Sequence, residues 1–309
     1  MKTAQTRKLV GLITQMGSVR AIARRAISDE MNSETRTSIS QKEGGLSPGF
    51  RTEMIFHRFD GVVVERLEYL VVKTPSNPGF MFGNFLLFFK APKTGTLEKW
   101  KEIFRNEFQD LPAVTHFTFL WDSPSEGSGD VSEMSAAGFQ IDFSVVLSTN
   151  SVQPPEKSNP EVQVRAIRTD AEWKEVVEAQ IRSKGAQYSE ESYRPFKEHQ
   201  MARYRAMSEQ GLGGWFGAFL GDKLVGDLGI YRDGPIGRFQ SVETDPGFRR
   251  QGICGRLVYE TAQFGFQKMG LSELVMVADE NYHAAKIYES VGFKPSVKEF
   301  SAFWWNRNI

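Results

Sequence analysis

The sequence predicts an α+β protein built from two domains. The chain has 309 residues, roughly twice the commonest length of a single domain. A run rich in Pro, Ser and Asn near the middle has the composition of a linker. On both sides of it, the hydrophobic pattern gives a strand, a helix, a strand, a Gly-Phe pair and a last strand. We therefore predict a tail at 1–48, a first domain at 49–150, a linker at 151–160 and a second domain at 161–309.

The elements of the first domain follow from short apolar runs. Segments 62–73, 82–90 and 114–121 indicate strands, and 96–108 indicates a helix because its large apolar residues recur at helical spacing. The segment 135–147 contains a Gly-Phe pair and then a strand. The same order in the second domain suggests that the first domain is a degenerate copy of it.

The second domain begins with a strand and a helix whose capping box is Thr169 and Glu172. A second helix and a hairpin around Gly221-Asp222 follow. The predicted bounds are a strand at 162–167, helices at 169–183 and 189–210, hairpin strands at 215–220 and 223–231, a strand at 238–242, a helix at 253–268, a strand at 273–278 and a last strand from 293.

The stretch 243–256 predicts an anion-binding site. It joins the strand 238–242 to the helix 253–268 through a basic turn. Unpaired N–H groups and the positive end of the helix dipole meet at such a turn. Gly252 and Gly255 remove side chains that would keep a phosphate at a distance. We therefore expect a phosphorylated cofactor here.

The spacing of this turn matches neither a Walker loop nor a dinucleotide fingerprint. Arg249, Gly252 and Cys254 instead resemble the Gln/Arg-x-x-Gly-x-Gly/Ala loop of the GNAT superfamily of acyl-CoA-dependent N-acyltransferases, although Cys254 stands where Gly or Ala is usual. Downstream, Asn281, Tyr288 and the following Gly-Phe pair also resemble that family. The resemblance implies tandem GNAT-type domains, each with a mixed, mostly antiparallel sheet flanked by helices.

The resemblance further implies an acetyl-CoA-dependent N-acetyltransferase that acts on a primary amine of a small molecule or amino acid. The amine would attack directly in a ternary complex, and Tyr288 would supply a proton to sulfur. Backbone N–H groups at Val242–Thr244 would stabilise the carbonyl oxygen. The residues expected to bind the cofactor are Val242, Thr244, Arg249, Arg250, Gln251, Gly252, Ile253, Cys254, Gly255 and Asn281.

The identity of the general base stays open at this point. Glu243 lies at the strand end, where apolar surroundings would raise the pKa of its carboxyl. However, strand alternation turns Glu243 away from the face of its two neighbours. Asp227, Glu280 and a water relay are the alternatives. Cys254 at a helix N-terminus suggests a nucleophile, but no Cys-His pair is visible, so we expect a small buried residue.

Composition limits the classes of partner. Lys and Arg number 38 and so do Asp and Glu, and this zero net charge argues against nucleic acid. One Cys and four His indicate neither a disulfide nor a metal site. No apolar run is as long as a membrane span, so we expect a cytoplasmic protein, either monomer or homodimer. The basic, amphipathic stretch 1–45 could bind a membrane surface, act as a presequence or be an appended helix.

Three functional classes therefore stay open: an N-acetyltransferase, a transferase of another acyl chain or to another acceptor atom, and a non-catalytic acyl-CoA sensor or scaffold. The first domain has no Arg-x-x-Gly-x-Gly pattern after its strand 82–90 and no Tyr in the place of Tyr288. We expect one cofactor per chain and a first domain that shapes the acceptor cleft.

Overall fold

The computed structural model describes residues 45–185, 189–279 and 284–305. All its helices and strands belong to one compact unit, Ser47–Ile309; the stretch 1–44, with its predicted amphipathic pattern, lies outside the described residues. The helices are α1 (Pro48–Asp60), α2 (Thr96–Glu107), α3 (Ser132–Ala136), α4 (Asp170–Arg182), α5 (Glu190–Glu209), α6 (Ile253–Lys268) and α7 (Ala284–Val291). None of the described helices is long and apolar enough to cross a membrane.

The strands are β1 (Val62–Glu65), β2 (Tyr69–Lys73), β3 (Phe85–Phe88), β4 (His116–Trp121), β5 (Gln140–Thr149), β6 (Gln163–Ala166), β7 (Gly213–Leu220), β8 (Lys223–Asp233), β9 (Ile236–Thr244), β10 (Glu273–Asp279) and β11 (Lys294–Trp305). They form one 11-stranded sheet in the order β1-β2-β3-β4-β11-β5-β10-β9-β8-β7-β6. The α+β class and the tandem arrangement are confirmed. The sequence predicted two separate sheets, one in each domain, whereas the structure has one continuous sheet.

The two halves exchange their last strands. β11, from the second half, lies between β4 and β5 of the first half, and β5 lies between β11 and β10. β5 pairs antiparallel with both of its neighbours. Because each half supplies a central strand to the other, the domain boundaries predicted at 150 and 161 do not correspond to a break in the sheet, and the division stays a prediction.

The internal repeat is visible in the backbone. β3 and β4 are parallel and joined by α2, and β9 and β10 are parallel and joined by α6. Both connecting helices begin after a left-handed glycine, Gly95 with φ 79° and Gly252 with φ 78°. The same strand, turn and helix therefore occur in both halves.

The two Gly-Phe pairs end their helices in the same way. Gly138 donates to the Ser135 carbonyl at 3.1 Å and Phe139 to the Met134 carbonyl at 3.0 Å. In the second half, Gly292 donates to Glu289 at 2.9 Å and Phe293 to Tyr288 at 3.1 Å. These are the paired bonds of a Schellman cap. Met134 thus occupies the place of Tyr288 in the first half.

Three clusters of buried side chains hold the helices on the sheet. In the second half, α6 and α7 pack on β7–β10. In the first half, α2 and α3 pack on β2–β5 and β11 with stacked aromatic rings, such as Phe88 on Trp100 at a centroid distance of 3.8 Å. α1, α4 and α5 cover β7 and β8 around Trp215 and Tyr231.

Helix α1 is missing from the prediction, and so is a turn within 62–73. The helix could have been identified from the proline in its first turn, Pro48, and from the helical spacing of Phe50, Met54 and His57, which are buried. α1 is fixed by Arg238, whose guanidinium donates to the Gly49 carbonyl and to Thr52 Oγ1, both at 3.1 Å. The predicted strand 62–73 is the hairpin of β1 and β2, whose turn contains neither Gly nor Pro.

The strand exchange predicts that residues 158–309 do not fold well alone. Without β5, strands β10 and β11 lose the strand between them and expose unpaired edges, which promotes aggregation. We expect this fragment to elute as aggregate in size-exclusion chromatography. Co-expression with residues 45–157 should restore a soluble complex. A monodisperse, active fragment 158–309 would contradict the exchange.

Candidate functional site

β9 and β10 part shortly after they meet. Among the described residues they pair only at Glu273↔Ile236, Leu274↔Gly237 and Val275↔Arg238. Beyond these pairs β9 continues to Thr244 beside β8. The edge of β9 at 242–244 therefore faces the opening between the two strands, as the predicted use of its N–H groups requires.

A bulge in β9 changes which side chains face which side of the sheet. Ser241 has φ 47°, a left-handed conformation that is unfavourable for a serine. The pairing of β8 with β9 shifts at this point. Before the bulge Arg238 contacts α1, whereas after it Val242 joins the cluster under α6. Strand alternation alone could not predict this inversion.

The turn between β9 and α6 has the backbone of an anion site. A 3₁₀ turn at Pro246–Phe248 precedes Arg250 with φ 63° and Gly252 with φ 78°. The bond from Arg256 N to the Gly252 carbonyl begins the helix, so the N–H groups just before it lack intrahelical partners. Together with the exposed Arg249 and Arg250, this donor set fits the pyrophosphate of an acyl-CoA.

Close packing explains why Gly252 and Gly255 carry no side chain, and the sequence alone did not show this packing. A Cβ at Gly252 would lie 3.1 Å from the Lys157 carbonyl oxygen, and one at Gly255 would lie 3.1 Å from Pro155 Cβ. The segment 155–159, between the halves, therefore packs directly on the turn. The Lys157 ammonium also donates to the Arg250 carbonyl.

A cavity of about 370 Å³ joins these features. The turn, the end of β9, segment 155–157 and helix α7 line it, and Tyr288, which is only 5% exposed, is among the lining residues. Of the predicted site residues, those that line the cavity are Val242, Glu243, Thr244, Arg249, Arg250, Gly252, Ile253, Cys254, Gly255 and Tyr288. Gln251 is exposed and does not line it. Asn281 and Glu280 lie outside the described residues.

Glu243 belongs to a buried cluster of ionisable groups. It lies directly opposite Asp227 in the sheet. The Asp227 carboxylate accepts from Gln180 Nε2 at 2.8 Å and from Trp215 Nε1 at 3.0 Å. Burial, reinforced by Glu243, raises the pKa of Asp227 to about 7, and burial also raises the pKa of Glu243. Lys197 is near both carboxylates, and burial lowers its pKa to about 8.

Lys197 and Gln180 are functional candidates that the sequence reading missed. Lys197 donates to Gln200 Oε1 at 2.8 Å and to Gln180 Oε1 at 3.3 Å. Its position on α5, four residues before buried Met201 and seven before buried Tyr204, is the signal that places it on an inward face. We did not predict Lys197 as a buried residue, because a lysine on a helix is usually exposed even when its neighbours on the same face are apolar.

The surroundings of Cys254 disfavour its thiolate form. Burial, followed by the nearby Glu243 carboxylate, raises the pKa of the Cys254 thiol to about 12. This rise exceeds any lowering from the helix N-terminus, so the group stays protonated near neutral pH and is a poor nucleophile. Cys254 was expected to be buried, but it is half-buried on the wall of the cavity, because the end of β9 and the turn leave this side of α6 open; the absence of a nucleophilic role stays a prediction.

The equivalent turn in the first half is filled by carboxylates of the protein itself. Gly95 N, just before α2, donates to Glu133 Oε1 at 2.8 Å, and Ala91 N donates to Glu126 Oε2 at 3.0 Å. Thr94 Oγ1 donates to Asp130 at 2.8 Å. These carboxylates occupy the N–H and O–H donors that a phosphate would need, and their negative charge would repel a phosphate. This gives a physical reason for the expectation of one cofactor site per chain.

Comparison with known proteins agrees with this geometry. Residues 173–293 match the model of the Acetyltransferase (GNAT) family. A functionally unknown conserved protein from Staphylococcus epidermidis has a similar structure at 15% identity, with a TM-score of 0.62 over 80% of this chain and 95% of that one. A GCN5-related N-acetyltransferase from Sphaerobacter thermophilus is similar at 16% identity, with a TM-score of 0.53 and coverage of 82% and 85%.

A tandem GNAT protein from the clavulanic acid biosynthesis pathway has a TM-score of 0.51 at 12% identity, with coverage of 82% and 87%. At these identities the similarity concerns the fold alone. No curated protein matches the sequence. The chain thus has a tandem fold of the GNAT type. The match to the Acetyltransferase (GNAT) family model covers residues 173–293, so the similarity to that family concerns this segment of the second half.

Substitution of Gly252 tests the anion turn. In Gly252→Val the side chain would meet segment 157–159 and disfavour the left-handed backbone, which displaces the turn. We expect affinity for CoA, measured by calorimetry, to fall about 10-fold or more. The wild-type titration should saturate at one CoA per chain. Saturation at two would contradict the account of the first-half turn.

Gly270, beyond the other end of α6, is the matched control. It has φ 68°, and a Cβ there would meet nothing within 4 Å. Gly270→Val should therefore lose about as much stability from its left-handed backbone, roughly 1 kcal/mol, but bind CoA like the wild type. Equal affinities in the two variants would show that the turn does not bind the cofactor.

Proposed function

We propose that the protein is an acetyl-CoA-dependent N-acetyltransferase that acts on a primary amine by direct attack in a ternary complex. The observation that carries this proposal is the position of Glu243. Glu243 lines the cavity that contains Tyr288, and its carboxyl group interacts with the buried Asp227 and Lys197. A base and an acid thus lie on one cavity beside an anion turn.

Glu243 is the proposed general base. An amine must lose its proton before it can attack, and burial raises the pKa of Glu243 toward the range in which a carboxylate accepts a proton efficiently. Asp227, directly opposite, disfavours a second negative charge, whereas Lys197 favours it. The three groups therefore titrate as a coupled set, with Glu243 as the member that reaches the cavity.

Tyr288 is the proposed acid. When bound, acetyl-CoA would supply the acetyl group as a thioester. Transfer forms a bond between nitrogen and carbon and breaks the bond between carbon and sulfur; Glu243 accepts the proton from nitrogen, and the Tyr288 phenol donates one to sulfur. The N–H groups of β9 at 242–244, on the edge away from β10, would stabilise the carbonyl oxygen. Arg249, Arg250 and the turn would hold the phosphates.

The buried cluster favours an enzyme over a sensor. Burial of Asp227, Glu243 and Lys197 disfavours their charged forms and costs stability. Binding of an acyl-CoA needs the turn but no base on the other side of β9. Strongly shifted pKa values beside a cavity are typical of catalytic sites.

Tyr288→Phe tests the acid. We expect turnover, measured as acetyl-CoA-dependent thiol release, to fall about 10²-fold. CoA affinity should hardly change, because the ring remains. Tyr259→Phe is the control: this tyrosine lies on α6 and contacts Gln263, so turnover should stay at the wild-type level. Full activity in Tyr288→Phe would assign the proton transfer to solvent or to another group.

The pH profile of kcat/KM tests the base. The base must be ionised, so the rate should rise as pH increases through the raised pKa of the carboxyl pair and then level off. Glu243→Gln should lower kcat/KM about 10²-fold or more, and its pH profile should no longer rise through this range. Asp227→Asn removes the opposing charge, so the limb should move to lower pH while activity is kept. The reverse result would make Asp227 the base.

A further inference from the structure

A second cavity of about 260 Å³ lies on the other side of the parted strands. Gln240 and Val277, just beyond the last pair of β9 with β10, line it together with α1 and α5 residues. Phe239 and Val242 pack under α6 instead. The cofactor-side cavity and this one therefore approach the same opening from opposite faces of the sheet.

Both halves build this second cavity. Each supplies seven of its fourteen lining residues. Those of the first half come from α1, the segment before β3, and strands β3, β4 and β5, with Ser144 as the contribution of β5. This arrangement gives the degenerate half a task that does not depend on cofactor binding.

Aromatic rings form much of the wall. Phe50, Phe85 and Phe300 are at most 7% exposed, and Phe80 and Phe82 stand nearer the rim. Aromatic faces bind apolar groups and also attract cations. The volume suits a compact body such as a single ring with a short chain rather than a long polymer.

The charges of the wall favour a cation without a carboxylate. Its acids are Glu53, which is paired with Arg238, and the buried Glu299, which accepts from Ser47 Oγ at 3.0 Å. Burial raises the pKa of Glu299 to about 7, so an ammonium group beside it would favour its ionised form. Arg238 is the cation among the lining residues, and its guanidinium is already bound to the protein: Nη2 to Glu53 at 2.8 Å, Nη1 to Thr52 and Nε to the Phe239 carbonyl, both at 3.1 Å. A substrate carboxylate would have to break this buried ion pair, which is unfavourable.

The cavity is also connected to the proposed base cluster. Gln200 lines it and accepts from Lys197 Nζ at 2.8 Å. Lys197 in turn acts on both Glu243 and Asp227. The Gln200–Lys197 hydrogen bond therefore links the wall of this cavity to the groups that are to take the proton of the amine.

We propose that this second cavity is the acceptor site and that the acceptor is a primary amine on a compact aromatic body without a carboxylate. The proposal rests on the proposed function and narrows its acceptor, because amino acids with a free carboxylate and ring-free polyamines fit the wall poorly. The protonated amine faces Glu53, Glu299 and the rings. Glu243 accepts one proton of the ammonium group, and the neutral nitrogen then attacks the acetyl carbon. The bond between carbon and sulfur breaks as sulfur receives the proton of Tyr288, and the second proton lost by nitrogen returns to the Tyr288 oxygen.

Three probes that differ by one feature test the acceptor class. Phenethylamine has the ring and the amine, phenylalanine adds a carboxylate, and putrescine lacks the ring. Binding to the protein is measured by calorimetry without acetyl-CoA, and turnover by thiol release with it. We expect phenethylamine to exceed both others by about 10-fold or more in affinity and in kcat/KM. Preference for phenylalanine or putrescine would overturn the proposal.

Two variants test the location. Ser144→Phe fills the cavity from β5 and should weaken phenethylamine binding about 10-fold or more without changing CoA affinity; exposed Ser135, on α3, gives the control Ser135→Phe. Glu53→Gln frees a guanidinium nitrogen of Arg238 and should reduce the preference for phenethylamine over phenylalanine. Unchanged amine binding in Ser144→Phe would overturn the site.

The two readouts separate this proposal from the proposed function. Phenethylamine binding that is lost in Ser144→Phe, without any thiol release in the wild type, would support the amine site and remove the transferase function. Thiol release with phenethylamine that Ser144→Phe leaves intact would support the function and overturn the site.

Discussion

In the part of the chain that the structure describes, β9 and β10 pair at three positions before they part, and both cavities lie at the opening that this short pairing leaves. A continuous ladder would close the sheet between the anion turn and the aromatic wall. The bulge at Ser241 adds the second condition, since it turns Arg238 and Gln240 to one face and Val242 to the other. Backbone strain at one serine thus separates two binding surfaces that one strand serves.

The exchanged strands explain why a half without an anion turn is retained in the fold. β5 is paired on one side with β10, whose C-terminal part borders the opening, and on the other with β11. It also supplies Ser144 to the second cavity. The first half therefore contributes to the position of β10 and to the wall at the same time, and neither contribution requires a cofactor.

The sequence predicted the elements whose signals are local. Helix α6 was expected at 253–268 and is found there, and the Thr169–Glu172 capping box and the turn at Gly221 are present. The strand exchange could not be predicted, because β5 and β11 are both apolar strands and their partners depend on contacts distant in the chain. The burial of Lys197 could not be predicted either, because the groups around it come from β8, β9 and α4, which are distant from it in the sequence.

The Glu133 carboxylate at the N-terminus of α2 makes the stability of the first half independent of an added anion, unlike that of the second half. In the first half the acid is part of the chain, so the charge at the helix N-terminus is always matched at neutral pH. In the second half the matching anion would come from outside, and a ligand that binds only the folded state raises stability with its concentration. The stability of the second half would then depend on the concentration of this anion, whereas that of the first half would not.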